Sequence, residues 1–313
     1  MPEGVEVYIT AQWLNSLAKD QTIIGINWDK NSRYAKKPII GLELAQLPLV
    51  VKAIFSRGKL IIWKCETKNH NKTNKKIIYM VCHLGMTGMW HKEKSKEDKS
   101  KGETPGNQIK YKQHSNFWVS FGKTDKIIDG QQYYSQTFKL YFNDYRKFGS
   151  ISFYSDLSHL LKKNGPCMVT QVFLENIEMI DPEIQKPATL EIWLKYLANK
   201  RIANKPICEF LLDQKYVSGI GNYLRCCSLY LAKIHPETKL GEMSLEQQKE
   251  LYKVCLEVIR YAYQTRGPMN GYFSDGQMIL KCYCRKEDDD GNPIVKYKDK
   301  TGRTVHWCPN VQK

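Results

Sequence analysis

The chain has 313 residues, and its 48 Lys+Arg against 32 Asp+Glu give a formal net charge of +16. That surplus points to a polyanionic partner, nucleic acid ahead of an acidic membrane surface, and the length is that of two domains or three small ones. No apolar run approaches the ~18 residues of a membrane span and no signal-peptide core is present. The 10 scattered cysteines read as reduced thiols of an intracellular protein.

In chain order, Val7, Ala11, Leu14 and Ala18 recur at three- and four-residue steps and predict a helix over 2–19. The period then changes to two. Strands are predicted at 22–28, 49–56, 59–66, 76–83, 115–121, 136–143 and 149–154, a run that implies an antiparallel sandwich or barrel. Polar tracts at 67–76 and 91–113 read as long loops. From about 170 to 265 the pattern is helical, at 189–198, 205–213, 221–232 and 244–264, broken by a two-glycine stretch from Asp213 to Asn222. Beyond Gly267 the chain is short, basic and β-patterned, with a hairpin expected between 279–285 and 304–308.

Two stretches carry chemistry. Removal of Met1 would leave Pro2 with a free secondary amine of pKa about 8, less basic than a lysine. Such an amine attacking an aldehyde-level carbon gives a charged iminium, and the carboxyl of Glu3 beside it can shuttle protons. Glu6 follows one helical turn later. An ordinary helix start with acidic first-turn residues has the same composition. In Gly219-Ile220-Gly221-Asn222, between two helices, the glycines allow close approach to a phosphate. Asn222 can cap the next helix and donate to the same oxygen, and a plain helix–helix turn is the alternative.

These stretches, together with Arg57-Gly58-Lys59, His83-Leu84-Gly85-Met86-Thr87-Gly88, Asn143-Asp144-Tyr145-Arg146-Lys147-Phe148-Gly149, Leu229 to Pro236 and Gly302-Arg303-Thr304, occur in the order found in one family. From residue 2 to the C-terminus the chain resembles the formamidopyrimidine-DNA glycosylase/endonuclease VIII family of base-excision repair enzymes. The resemblance implies an α+β fold: an N-terminal helix and antiparallel β-sandwich (1–163), a linker (164–174), a helical domain with a helix–two-turns–helix motif (175–266) and a C-terminal β-hairpin finger (267–313). It implies Pro2 as nucleophile, Glu3 as general acid and proton relay, and Lys59, Gly221, Asn222 and Arg303 as phosphate-gripping groups. Met86, Arg146 and Phe148 would fill the hole left by an extruded nucleotide, with Arg146 and Phe148 alternating on one strand face. Glu6 would contact the nucleotide or orient the amine.

The chain also departs from the bacterial pattern. Where those enzymes have the first Cys-x-x-Cys pair of a zinc finger, this chain has Glu287-Asp288-Asp289-Asp290-Gly291, and the second pair keeps only Cys308, with Val311 at its partner position. That resembles the zincless finger of certain eukaryotic, plant and viral members, so no metal or organic cofactor is expected. Zinc on Cys282, Cys284, His306 and Cys308 remains an open alternative. Val5 and Tyr145 stand where prolines are usual, and Cys227 stands where a glutamate is usual, so a supporting hydrogen bond would be missing.

The expected activity is a bifunctional glycosylase and abasic-site lyase acting on double-stranded DNA as a monomer, in a nucleus or viral replication compartment. The segment between about 265 and 279 is shorter than in formamidopyrimidine-type enzymes, and with the Met-Pro-Glu-Gly start and the missing zinc ligands it resembles the endonuclease VIII-like members, which implies a preference for oxidised pyrimidines and ring-opened purines. A damaged-DNA-binding protein that lost catalysis, and an RNA-binding accessory protein, are the alternatives from other classes.

Overall fold

The computed structural model describes residues 2–67, 75–93, 115–128, 131–174, 181–265 and 281–313. The expected loops at 67–76 and 91–113 and the short segment at 265–279 lie largely outside the described residues. Contacts divide the chain into two units, one of Pro2, Thr10–Ser56 and Leu60–Leu157, the other of Glu3–Ile9, Arg57–Lys59 and Ser158–Lys313. Helix α2 is the single turn Arg33–Lys36, and helix α1 spans Gly4–Ala18. Its buried Val7, Ala11, Leu14 and Ala18 are the stripe that the sequence periodicity marks.

The first unit is built on an eight-stranded sheet in the order β5-β7-β6-β1-β2-β3-β4-β8. Its strands are β1 (Thr22–Trp28), β2 (Leu49–Arg57), β3 (Leu60–Thr67), β4 (Ile77–His83), β5 (Met89–Lys92), β6 (Ser115–Ile128), β7 (Gln131–Asn143) and β8 (Ser150–Tyr154). The pairings β1–β2, β1–β6, β3–β4, β4–β8, β5–β7 and β6–β7 are antiparallel. The sheet folds over on itself. Trp63 of β3 meets Trp90 of β5 at 5.4 Å between ring centroids and Phe121 of β6 at 6.4 Å, although these strands are not neighbours. Apolar side chains at alternate positions thus line the inside of a sandwich.

Two strand expectations need correction. β5 is absent from the prediction, because four residues are too few to show a period and His91 and Lys92 begin the polar tract. β6 and β7 run well past the predicted segments, and their pairing continues to Ile128↔Gln131. There the exposed Lys123, Thr124 and Asp125 give no hydrophobic alternation to read, and backbone ladder bonds carry the ribbon.

The second unit packs α3 (Ser158–Lys163), α4 (Met168–Val172), α5 (Leu190–Leu197), α6 (Ile207–Leu212), α7 (Asn222–Leu231) and α8 (Leu245–Gln264). Its core contains Trp193, Phe210, Leu224, Leu251 and Ile259, all buried. A capping box starts α8: Gln247 N–H donates to Ser244 Oγ at 3.2 Å and Ser244 N–H to Gln247 Oε1 at 2.9 Å. The segment 164–174, expected as a linker, instead contributes Cys167, Met168 and Val169 to this core with no solvent exposure. Helix α4 is too short to leave a periodic signature.

The finger is also a correction. β9 (Val295–Lys298) pairs antiparallel with β10 (Thr304–Trp307), from Thr304↔Lys298 to Trp307↔Val295. The expected partner at 279–285 is not a strand: residues 279–280 lie outside the described residues, 281–284 form turns, and Cys284 has a left-handed φ of 62°. The Cys-x-Cys alternation misleads because Cys282 inserts into a small cluster with Cys226, Tyr230, Ile294 and Cys308. No helix among the described residues is long and apolar enough to cross a membrane.

Candidate active site

The start of α1 is fastened to the start of α7. Glu3 N–H donates to Glu6 Oε2 at 2.8 Å, so the Glu6 carboxylate turns back to cap its own helix. The Glu3 carboxylate faces the first turn of α7. Tyr223 N–H donates to Oε1 at 2.9 Å and Leu224 N–H to Oε2 at 3.3 Å. These are amides that an isolated helix leaves unpaired, at its electropositive end. A methyl group on Gly221 would overlap the Glu3 carboxyl, so glycine is required where the carboxylate sits. Pro2, the residue before Glu3, is buried.

The electrostatics of Glu3 suit an acid at neutral pH. Burial pushes its carboxyl from 4.5 up to about 7, against the opposing pull of the Lys59 ammonium and the two backbone donors, while the Glu6 charge adds to the rise. Glu6 is raised too, chiefly by burial, and Tyr223 Oη–H donates to its Oε1 at 2.9 Å. Lys59 is lowered by burial, supported by Glu3 and lowered further by Arg303.

Lys59 reaches this cluster through the Arg57-Gly58 turn. Arg57 is buried and donates to the carbonyls of Gly165 at 3.0 Å, Asn164 at 2.6 Å and Ile184 at 2.5 Å. Gly58 has φ +56°, and a side chain there would meet Ser218 Cβ at 2.6 Å. This arginine locks the backbone on either side of α4 and sets the turn that presents Lys59.

Asn222 is not the cap that the sequence predicts. Gly221 holds the cap position, and Asn222 opens α7. Its amide Nδ2–H donates to the carbonyl of Thr304 at 2.8 Å, and its Oδ1 accepts from Arg225. The amides at the start of the helix are taken by Glu3, a carboxylate from a distant part of the chain. The turn therefore seats the acid as well as presenting Asn222. Arg303 is exposed at the closing turn of the β9–β10 hairpin.

Met86, Arg146 and Phe148 lie together in the first unit. Met86 is in the turn after β4. Arg146 and Phe148, expected to alternate on a strand, occupy the turn between β7 and β8, where Lys147 has φ 58°. The guanidinium of Arg146 sits 5.1 Å from the centroid of the Phe148 ring, and Phe148 is 55% exposed. Buried Asp144 joins the two turns. Thr87 Oγ1–H donates to Asp144 Oδ1, Gly149 N–H donates to its Oδ2 at 2.5 Å, and Arg146 N–H donates to Thr87 Oγ1 at 3.3 Å.

Sequence reasoning passed over Asp144, Thr87, Tyr223, Arg225 and Asp299 as functional residues. Asp144 and Thr87 fall inside the matched motifs, so position in the motif was the available signal. For Arg225 and Asp299 there was none.

The four groups of the zinc alternative do not converge. Cys282 and Cys308 are buried, Cys284 is exposed, and among the described residues no group of three or more His, Cys, Asp or Glu could hold a metal ion. Tyr230 Oη–H donates to Asp288 Oδ2 at 3.0 Å, and Cys308 Sγ lies 3.7 Å from the same oxygen. Cys227 is fully buried in the helical core.

Comparisons with known proteins bear on the family and the fold. The family model described as "Formamidopyrimidine-DNA glycosylase N-terminal domain" matches residues 1–151, and "Formamidopyrimidine-DNA glycosylase H2TH domain" matches residues 180–271. A formamidopyrimidine-DNA glycosylase of Cytobacillus firmus is 26% identical over 324 aligned residues, covering 100% of both chains. Endonuclease 8 of Escherichia coli K12 is 28% identical over 154 residues, 46% of this chain and 56% of its own. In fold, the chain is similar to Lactococcus lactis formamidopyrimidine-DNA glycosylase bound to DNA containing an oxidised pyrimidine, with TM-score 0.69 and 22% identity over 100% of both chains.

Proposed function

The chain belongs to the formamidopyrimidine-DNA glycosylase/endonuclease VIII family of DNA glycosylases with abasic-site lyase activity, and from that premise we propose that it removes oxidised bases from double-stranded DNA through the amine of Pro2. After removal of Met1, the Pro2 nitrogen attacks C1′ of the damaged nucleotide and the base departs. Glu3, holding a proton near neutral pH, protonates the deoxyribose ring oxygen as the sugar opens. The resulting iminium acidifies C2′. Loss of that proton expels the 3′ phosphate by β-elimination, and a second elimination expels the 5′ phosphate, leaving a one-nucleotide gap.

The observation that carries this reading is the Glu3 carboxyl, raised to about 7 and anchored on the amides of Tyr223 and Leu224 directly after Pro2. A buried acid poised at that pH next to a terminal amine is costly to keep and useful for proton transfer. Glu6 orients the segment by accepting from the Glu3 amide. Lys59, Asn222 and Arg303 grip the phosphates flanking the lesion, with the turn at Gly221 allowing the close approach. Met86, Arg146 and Phe148 occupy the hole left by the flipped nucleotide.

Oxidised pyrimidines and ring-opened purines are the favoured lesions, in DNA of a nucleus or viral replication compartment, and the enzyme works as a monomer. The finger needs no metal in this reading: packing of Cys282, Cys308, Ile294 and Tyr230 supports it.

Borohydride reduction during turnover on a lesion-containing duplex tests the chemistry. The expected product is a covalent protein–DNA adduct that mass spectrometry places on Pro2. An adduct on a lysine side chain, or none with protein lacking Met1, rejects the amine mechanism.

A further inference from the structure

Arg225 lies one turn after Asn222 on α7, and neither its side chain nor that of Asp299 has any exposure to solvent. Its guanidinium divides between two parts of the second unit. Nη2–H donates to Asn222 Oδ1, and Nη1–H donates to Asp299 Oδ2 and to the carbonyl of Cys208 at 3.2 Å. The other oxygen of Asp299 organises the hairpin turn, accepting from Thr301 N–H at 2.9 Å, Thr301 Oγ1–H at 2.6 Å and Arg303 N–H at 3.1 Å. Asn222 Nδ2–H closes the circuit on the carbonyl of Thr304, the residue after Arg303.

We propose that the buried Arg225–Asp299 pair is a positioning device that fixes Asn222 and Arg303 at one spacing, so that both engage the same stretch of DNA backbone. The inference rests on the phosphate-gripping roles proposed above for those two residues and goes beyond them. Arg225 has no surface and cannot touch DNA, so it acts only through its neighbours. A guanidinium suits the task because its planar fork offers separate donors to an amide oxygen and a carboxylate. An ammonium on a flexible stem offers a point charge without that fork. The two residues it couples come from different elements, α7 and the β9–β10 turn. With no such tie, their spacing would rest on the single Asn222–Thr304 hydrogen bond and on the four-residue strands of one hairpin.

Removing one charge would strand the other in the interior and could unfold the region, so the decisive variant removes both. Arg225→Met/Asp299→Leu leaves no buried ion uncompensated. On abasic-site duplex it is expected to melt close to wild type while its single-turnover rate falls by about 10²-fold, the cost of a misplaced binding group. The slope of log affinity against log salt, measured on a duplex carrying a non-cleavable abasic analogue, should fall by about one phosphate contact. Adding Arg303→Ala to the double variant should then cost less than about twofold more, because groups acting through one another are not additive. If the double variant does not fold, Arg225→Lys is read by the same measurements with the same expectation.

A folded variant with the wild-type rate and salt slope, or losses that multiply with that of Arg303→Ala, overturns the proposal. The salt slope requires no chemistry. A wild-type protein that forms no adduct would reject the enzymatic reading alone and leave this test intact.

Discussion

The proposed mechanism requires Glu3 to hold a proton at a pH where the amine one residue away has lost one. Its carboxyl, raised to about 7, and a terminal amine near 8 make both forms available around neutrality. Above pH 7 the acid is lost, so single-turnover base excision should fall about tenfold per pH unit on the alkaline side. Lys59 pulls the Glu3 value down, so Lys59→Ala should move that limb to higher pH as well as weaken binding. An unmoved limb would assign it to another group. Glu3→Gln should still bind lesion duplex and lose excision by ~10²–10⁴-fold; near-normal excision removes Glu3 from the mechanism. The fold itself bears the opposite cost. With its folded value above the ordinary 4.5, Glu3 binds more protons folded than unfolded between about 4.5 and 7, so its contribution to stability is lost as pH rises through that window. Pro2, Glu3, Lys59 and Arg303, the residues of the proposed site, were singled out in the sequence because ordered motifs contain them. Arg225 and Asp299 were not, because a charged residue in a sequence carries no mark of burial.

At the scale of elements, the long amphipathic helices and the strands from β1 to β4 were legible, since burial of one face writes a period into the sequence. What escaped was short or two-sided polar: β5 with four residues, α4 with five, and the outer half of the β6–β7 ribbon. The finger hairpin was displaced for a related reason. Cys282 packs as an apolar residue, while the true strand β9 is charged and mostly exposed. The turn holding Arg146 and Phe148 was read as a strand because positions i and i+2 share a strand face, whereas Lys147 in fact takes a left-handed conformation. Arg146→Ala and Phe148→Ala should weaken processing far more in duplex than in single-stranded DNA, since only the duplex has a hole to fill. Asp144→Ala should copy that pattern without touching either wedge residue, because it releases the Met86 turn from the Arg146 turn. Equal losses on both substrates would mean that these groups only support the sandwich.

Across the whole molecule, a surplus of 16 positive charges favours binding to a polyanion anywhere along the surface, so the phosphate grip proposed for Arg303 needs a finger fixed well enough to aim it. A bound metal would do this by coordination and would make the finger's folding depend on the ion. The contacts here offer another route. Cys282 and Cys308 pack with Cys226, Tyr230 and Ile294, Asp288 takes the Tyr230 hydroxyl, His306 stacks edge-on against Tyr283 at 4.8 Å, and Trp307 does so against His235 at 4.4 Å. The Arg225–Asp299 pair adds specificity of geometry, and losing one partner alone would cost about 3–5 kcal/mol. Purified protein should therefore contain well under one zinc per chain, and a chelator should change neither thermal stability nor lyase rate. Metal analysis before and after chelation, with melting and activity read on the same samples, checks both. One tightly held zinc lost together with activity would replace packing by coordination as what holds the finger, and would leave the Pro2 and Glu3 chemistry in place.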